Sequence, residues 1–285
     1  MASLREIKDR IGSVRSTLKI TSAMKLVASA KLRKAQRAIE GMRPYERTLA
    51  EILGAVGPQG VTASAAAESG SGPGRTAVVA IASNSSLCGG FNANSARKAL
   101  ETIRACEGAV EVYPLGRKIA EALRRAGYPA AEDYSGLVAH PSYETAAALA
   151  RTLSERFRNG EISRVVLVYN RFVSAASQVP TAETYLPFSA ADLPTGEDPQ
   201  ADGTEYLVEP DPAELVAQLL PQVLMLKFYA AILDSAAAEH AARTLAMQTA
   251  SDNAEDLLGA LTLEYNKGRQ QKITAEILDL IGGSV

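Results

Sequence analysis

The residues best placed for chemistry follow the first predicted strand and precede a predicted helix. They read Ser83-Asn84-Ser85-Ser86-Leu87-Cys88-Gly89-Gly90-Phe91-Asn92. Nucleotide-binding α/β folds place their phosphate loop at this position, because glycines let the backbone approach the ligand and free amides at a helix N-terminus bind phosphate. The segment has Gly89 and Gly90 but no G-x-G-x-x-G and no G-K-[ST] pattern. A tight strand-to-helix turn is therefore favoured over nucleotide binding.

Other reactive side chains are too few or too scattered to indicate a catalytic or metal site. Cys88 would need a histidine base to act as a nucleophile, and the chain has only His140 and His240. Two histidines without spaced cysteines do not form a recognisable metal site. The acid groups Glu132-Asp133 and Asp252/Glu255/Asp256 are expected to be solvated surface charge, and Cys88 a small buried side chain. The sequence predicts no catalytic residue, no metal and no cofactor.

Two long helices are predicted at the ends of the chain, over residues 3–56 and 212–281. The first has apolar residues at steps of three and four, and Ser3 with Glu6 forms a predicted capping box. Pro44 is expected to kink or split this helix near Met42. Helices of this length cannot both bury themselves against a domain of about 150 residues, so they are expected to pack against each other.

The middle of the chain alternates predicted strands and helices, which indicates a parallel sheet with covering helices. Strands are predicted at 76–82, 110–115 and 164–169, with edge or antiparallel strands at 179–187 and 204–209. Helices are predicted at 92–106, 117–126 and 142–158. The predicted domains are an N-terminal coiled-coil helix at 1–56, a linker or insertion at 57–75, an α/β domain at 76–209 and a C-terminal coiled-coil helix at 210–285.

Charge is distributed unevenly along the chain. Residues 1–50 carry twelve bases against four acids, a net charge near +8, so the remainder is near −10 in a chain with a net charge of −2. Such asymmetry indicates a partner surface, which nucleic acid, anionic lipid or an acidic protein would fit. Few aromatic residues interrupt the bases, which disfavours nucleic acid. No signal peptide is seen, no stretch approaches 18 apolar residues, and two cysteines suit a reducing compartment.

Four segments resemble the gamma subunit family of rotary ATP synthases. They are, in order, Ile20 to Lys34 (ITSAMKLVASAKLRK), Leu87 to Asn92 (LCGGFN), Glu239 to Ala254 (EHAARTLAMQTASDNA) and Leu263 to Thr274 (LEYNKGRQQKIT). The match covers nearly the whole chain. Asn84, Ser85 and Ser86 depart from the acid and glycine that this family often has before the glycine turn, and Gly268 stands where alanine is common.

The resemblance implies a long antiparallel coiled coil of the two terminal helices plus a central Rossmann-like α/β domain. It implies a central rotor shaft without an active site of its own, which couples rotation of the c ring to conformational changes in catalytic beta subunits. The implied partners are the alpha and beta subunits, the epsilon subunit and the c-subunit ring. The resemblance implies no nucleic-acid partner. It implies contact with the membrane only through the c ring, at the cytoplasmic face of a bacterial inner membrane.

The resemblance also assigns roles to particular residues. Arg269, Gln270 and Thr274 would bond to a beta-subunit loop, Met24 and Lys25 would lie near the same coupling region, and Arg243 would face the beta subunits. Two other classes of function stay open on the sequence. The α/β domain could be an enzyme with the helices as a dimerisation arm, or the basic helix could be an adaptor for nucleic acid or a membrane surface.

Overall fold

The computed structural model describes residues 3–56, 74–130, 132–188 and 211–282. The helices are α1 (Leu4–Val56), α2 (Phe91–Ala105), α3 (Arg117–Arg125), α4 (Ser135–Ala139), α5 (Tyr143–Arg158) and α6 (Pro212–Gly282), and the strands are β1 (Thr76–Ile81), β2 (Val110–Leu115), β3 (Arg164–Phe172) and β4 (Gln178–Leu186). Residues 57–73 of the linker predicted at 57–75, and the whole of the strand predicted at 204–209, lie outside the described residues. The chain divides into two compact units: Met1–Ala30 with Arg243–Val285, the helix-pair unit, and Lys31–Ala242, the sheet unit. Both α1 and α6 contribute residues to each unit.

The two long helices confirm the sequence-based prediction in extent and in packing. At the start of α1, Glu6 N–H donates to Ser3 Oγ (3.2 Å) and Ser3 N–H donates to Glu6 Oε2 (2.9 Å), which is the predicted capping box. In the helix-pair unit, Thr21 meets Ser251 while Leu4 lies against Gly268, so the helices are antiparallel. Within this unit, the seam positions of α1 from Leu4 to Ala28 and of α6 from Met247 to Gly268 recur at steps of three and four. This spacing is that of a coiled-coil seam.

Pro44 does not split α1, so of the two predicted outcomes, a kink or a split near Met42, the split is wrong. The helix continues from Leu4 to Val56 with Pro44 inside it, and α6 likewise contains Pro221. Each proline removes one backbone donor. Pro44 is exposed, which leaves water free to satisfy the carbonyl that loses its partner. Within the sheet unit, Tyr45 Oη donates to Gln222 Oε1 (3.2 Å), so the residues that follow the two prolines bond to each other.

The sheet has the strand order β2-β1-β3-β4. β1 pairs in parallel with β2 and β3, and β4 runs antiparallel to β3. The continuous apolar run of β1 is explained by burial on both faces: Ala77, Val79 and Ile81 belong to one core cluster, and Val78 and Ala80 belong to the other. The first cluster includes residues of α5, α6 and the end of α1, and the second includes residues of α2, α3 and α6. The predicted strands and helices of this region are confirmed within two or three residues, whereas the short helix α4 was not predicted.

Among the described residues, one helix is long and apolar enough to cross a membrane by length and mean hydropathy alone, namely α6 between Glu214 and Ile281. Its apolar residues are interrupted by polar and charged ones, so the sequence still contains no uninterrupted run of 18 apolar residues. A buried core helix has the same composition. In the sheet unit, α6 places Leu220, Phe228 and Ala237 in the interior, which accounts for much of its apolar character.

Candidate partner-contact site on the helix pair

The turn that follows β1 uses its polar groups to hold its own shape. Asn92 Oδ1 accepts from Ser83 N–H (3.1 Å) and from Ser83 Oγ (2.9 Å), while Asn92 Nδ2 donates to the carbonyl of Ser85 (3.0 Å). Leu87 and Gly89 adopt positive φ angles of 65° and 59°, which make the turn tight. Asn84 links the turn to two helices. It accepts from Arg117 N–H at the start of α3 (2.9 Å) and donates to the carbonyl of Ser135 at the start of α4 (2.8 Å). The turn therefore matches the structural interpretation favoured from the sequence.

The groups beside the crevice where a parallel α/β sheet would bind a ligand are buried. Strand order changes direction at β1, so the ligand position lies outside the carboxyl ends of β1 and β3. Cys88 and Phe91, in the turn after β1, belong to the same buried apolar cluster as Ala238 and Ala242 of α6. Asn170 of β3 and Ser95 of α2, both buried, are hydrogen-bonded (2.6 Å).

A groove of about 810 Å³ lies between β2, the segment containing α4, and α5, and it is lined in part by Tyr113 and His140. Its central group is Arg156, which donates two bonds to Glu111 (2.8 and 3.0 Å) and one to Glu161 (2.9 Å). The hydrogen bond from Arg156 holds the pKa of the Glu111 carboxyl below its usual value. Burial raises the pKa of the Tyr113 hydroxyl to about 12, and its bond to Glu111 adds to this rise. These charged groups satisfy one another, which is the pattern of a structural ion-pair network.

Asp234 of α6 is a second titrating group in the sheet unit. Burial raises the pKa of its carboxyl to about 6, against the opposing effects of the Phe172 N–H donor, Arg171 and Arg43, and with a smaller raising effect of Glu183. Because the folded-state pKa lies above the unfolded one, ionising Asp234 costs stability between about pH 4 and 6, and the full cost persists above pH 6. Asp234 therefore destabilises the fold at neutral pH.

Replacing Asp234 by asparagine is expected to raise the free energy of unfolding by roughly 1–2 kcal/mol at pH 8, a value reduced to allow for solvent screening of a partly exposed group. No gain is expected at pH 4, where the aspartate is already protonated. Urea unfolding of the full chain at both pH values measures the difference. Asp133→Asn is the matched control: its pKa is lowered by the Ser135 N–H bond, so it should give no gain at pH 8. An equal gain for Asp234→Asn at pH 4 and 8 would contradict this account.

Among the described residues, no group of three or more His, Cys, Asp or Glu side chains could hold a metal ion. Cys88 is 1% exposed, as expected of a small core side chain, and the exposed His140 lies at the groove. The residues predicted to contact a partner lie instead in the helix-pair unit.

All six residues predicted to contact a partner belong to the helix-pair unit. Met24, Lys25 and Arg243 are half-buried, whereas Arg269, Gln270 and Thr274 are exposed. Lys25 Nζ donates to Gln248 Oε1 of the opposite helix (2.8 Å). The structure thus brings Lys25 to α6 about 32 Å along the helix from Arg269, at 1.5 Å per residue. The six residues form two groups and not one cluster.

The first group lies beside exposed apolar side chains. Met24 shares one stripe of α1 with Ile20 and Val27, since these positions are separated by four and three residues. Ile20 is 60% exposed and Val27 is 58% exposed. Exposed apolar residues in a stripe next to a buried seam indicate a surface that another protein covers.

The second group lies where α6 extends past the first residue of α1. Gly268 lies against Leu4, the first residue of α1, and every described side chain of α6 from Arg269 to Ile281 is exposed. This end carries large apolar side chains, namely Ile273, Ile277, Leu278, Leu280 and Ile281. Thr274 Oγ1 donates to the carbonyl of Gln270 (2.9 Å), so their polar side chains lie on one helix face. An exposed helix end with both apolar and hydrogen-bonding side chains is suited to a protein partner.

Sequence reasoning missed Gln248 and Asp252 as site residues. Gln248 Nε2 donates to Asp252 Oδ1 (2.6 Å), which continues the chain of bonds from Lys25. Both residues stand in the segment that carries the family resemblance, but no local pattern shows that Gln248 faces Lys25. Their pairing depends on the register of two helices that are far apart in sequence.

The comparisons with known proteins agree with the two-helix architecture. The family described as ATP synthase matches residues 3–285. An ATP synthase gamma chain from Phocaeicola vulgatus is 49% identical over 296 residues, covering 100% of each chain. A chain of the Tetrahymena thermophila mitochondrial ATP synthase, from a structure described as central stalk and c-ring, is 25% identical with a TM-score of 0.58 and covers 81% of this chain and 99% of its own.

A chain of the Euglena gracilis mitochondrial ATP synthase rotor has the same fold, with a TM-score of 0.65 at 20% identity, and covers 95% of this chain and 98% of its own. The 49% identity to the gamma chain from Phocaeicola vulgatus, over the full length of both chains, is enough to show the family. The chain belongs to the ATP synthase gamma chain family.

Proposed function

We propose that the chain is the central rotor shaft of a proton-driven ATP synthase. In this role it couples rotation of the c ring to the conformational cycling of the catalytic beta subunits, and binds no nucleotide itself. The observation that carries the proposal is the antiparallel helix pair whose longer helix ends in an exposed apolar segment. The exposed apolar side chains at that end favour contact with a partner protein. The similar chain from Euglena gracilis belongs to a structure described as a rotor.

The physical demand on a shaft is stiffness without tight binding at any one angle. Two helices with a continuous seam resist bending and twisting better than one helix, since every turn of each is packed against the other. The seam of the helix-pair unit includes Ile7, Ala28 and Met247, all at most 5% exposed. The exposed contact groups are few, which favours sliding over fixed docking.

The internal bonding of the turn after β1 supports the absence of nucleotide binding. Cys88 and Phe91 of this turn are buried in one cluster with Ala238 and Ala242 of α6. A phosphate bound at the turn would have to break the bonds between Ser83 and Asn92. The alpha and beta subunits would then hold the nucleotide, with epsilon and the c ring meeting the chain elsewhere, at the cytoplasmic face of the inner membrane.

The six predicted contact residues give the proposal its direct test. The double variant Arg269→Ala with Gln270→Ala is expected to lower the rate of proton-driven ATP synthesis about tenfold, because it removes directional hydrogen bonds to a beta-subunit loop. Both side chains are exposed, so assembly should stay intact. Membrane vesicles with the assembled synthase provide the measurement, and subunit content is scored on the same vesicles.

The matched control is Lys267→Ala with Gln271→Ala. It also removes one basic side chain, here a lysine, and one glutamine from exposed positions in the same region of α6, and should leave synthesis near the unmodified rate. Equal rates for the two double variants would refute the contact role of Arg269 and Gln270. A failure of the chain to copurify with alpha and beta subunits would refute the shaft role altogether.

A further inference from the structure

Gln248 is held in one orientation by a carboxylate on its own helix. Its Nε2 group donates to Asp252 Oδ1 at 2.6 Å, and its Oε1 atom accepts from Lys25 Nζ at 2.8 Å. An ionised carboxylate only accepts hydrogen bonds, so Asp252 must face the amide nitrogen. The amide oxygen then points away from Asp252 and toward the opposite helix. Lys25 therefore meets an acceptor whose direction is already set.

A buried polar pair fixes the register that brings Lys25 to Gln248. The hydroxyls of Thr21 and Ser251 are 2.8 Å apart, and the two residues are 8% and 4% exposed. They lie about one turn from Lys25 on α1 and from Gln248 on α6. A single polar layer in an apolar seam favours one register, because any other register buries the hydroxyls against apolar groups. The slip that preserves the seam is seven residues, about 10.5 Å, which would separate Lys25 from Gln248.

We propose that Gln248 and Asp252 are positioning residues for Lys25, and that together they hold its ammonium group at a fixed point on the helix pair for contact with an acidic group of a partner subunit. The inference rests on the proposed function, in which Lys25 takes part in coupling. A lysine side chain has four rotatable bonds and an unheld ammonium group samples many positions. The neutral amide restrains the ammonium group but does not neutralise it, so the full positive charge stays available to a carboxylate.

The first experiment measures the restraint itself on the full chain. Labelling of Lys25 by an amine-reactive acetylating reagent is followed by mass spectrometry as a rate. Gln248→Leu is expected to raise this rate about five- to tenfold, since it removes a hydrogen bond to a charged group. Thr249→Val is the control, because the exposed Thr249 hydroxyl bonds only within its helix, to the carbonyl of Leu245. An unchanged rate in Gln248→Leu overturns the proposal.

The second experiment measures protons pumped per ATP hydrolysed by the assembled synthase in membrane vesicles. Lys25→Gln sets the size of the coupling loss that belongs to the lysine. Gln248→Leu should cause at least about half of that loss, and the double variant should be no worse than Lys25→Gln, because residues that act through one contact are not additive. A merely structural role would instead lower thermal stability additively and leave the pumping ratio unchanged.

Gln248→Glu combined with Asp252→Asn separates position from charge. The asparagine amide can donate to the new carboxylate as Gln248 now donates to Asp252, so the carboxylate would still hold Lys25 and labelling should stay slow, yet it would compensate the charge of the ammonium group and coupling should fall as in Lys25→Gln. Coupling that survives in this double variant would overturn the proposal. If Lys25→Gln uncouples the synthase and Gln248→Leu does not, only the positioning inference fails. If neither Lys25→Gln nor the Arg269 and Gln270 double variant affects coupling, the proposed function fails as well.

Discussion

Replacing Gly116 by alanine is expected to lower the free energy of unfolding by at least about 3 kcal/mol, the largest loss we foresee for a single added methyl group. Gly116 joins β2 to α3 at a φ of +114°, which side-chain-bearing residues rarely adopt. A Cβ atom there would lie 2.2 Å from the carbonyl oxygen of Ala82 and 3.0 Å from its carbonyl carbon. Both are backbone atoms next to β1, so they cannot rotate away.

Gly127 offers a matched control for the conformational part of this cost. Its φ is +91°, yet a Cβ atom would meet nothing within 4 Å. Gly127→Ala should therefore cost only about 1–2 kcal/mol from backbone strain. Denaturant unfolding of the full chain measures both variants. Similar losses at the two positions would mean that the contact with Ala82 can relax, against our reasoning.

Replacing Tyr185 by alanine is expected to destabilise the chain by about 3–5 kcal/mol. Tyr185 is the second-last residue of β4 and is 0% exposed. Its hydroxyl donates to the carbonyl of Leu224 (2.9 Å), and its ring packs edge to face with Phe228 at 5.7 Å. Burial raises the pKa of this hydroxyl, so it stays protonated and can donate. Alanine would leave a cavity and remove a link between the edge strand and α6. Tyr185→Phe, which keeps the ring, should lose only about 1 kcal/mol.

Tyr143→Ala tests whether burial of the ring is the cause of the large loss of stability expected for Tyr185→Ala. Tyr143 also packs edge to face, with Tyr229 at 5.8 Å, but it is 41% exposed. Its loss should cost less than about 1.5 kcal/mol, mainly from the aromatic pair. Thermal and urea unfolding with far-ultraviolet circular dichroism provide the comparison. Equal losses for Tyr143→Ala and Tyr185→Ala would show that the interior position of Tyr185 is not decisive.

Local signals in the sequence were enough to predict most of the fold. The Ser3 and Glu6 pair marked the start of α1, and the steps of three and four between its apolar residues marked its course. Each of these signals acts within a few residues, so it is readable along the chain. Pro44 misled the prediction because its helix is supported by packing against other elements, which outweighs the loss of one backbone bond.

Less of the candidate site than of the fold could be predicted from the sequence. The roles of Arg269, Gln270 and Thr274 in contacting a beta-subunit loop came from resemblance to a family. The bond between Lys25 and Gln248 joins residues 223 positions apart, and that between Thr21 and Ser251 joins residues 230 apart. Such pairs depend on helix register, which a hydrophobic repeat leaves free to slip by whole heptads. The helix α4 was missed because five residues carry too little periodicity.

The two prolines inside the long helices place two missing backbone bonds at one level of the sheet unit. Pro44 and Pro221 each remove one backbone donor, and the bond from Tyr45 to Gln222 shows that the two positions lie side by side. Where two neighbouring helices both lack a backbone bond at the same level, neither helix stiffens the other there, and the resistance to bending is expected to fall. Any deformation of this pair of helices under load would therefore be concentrated at this level.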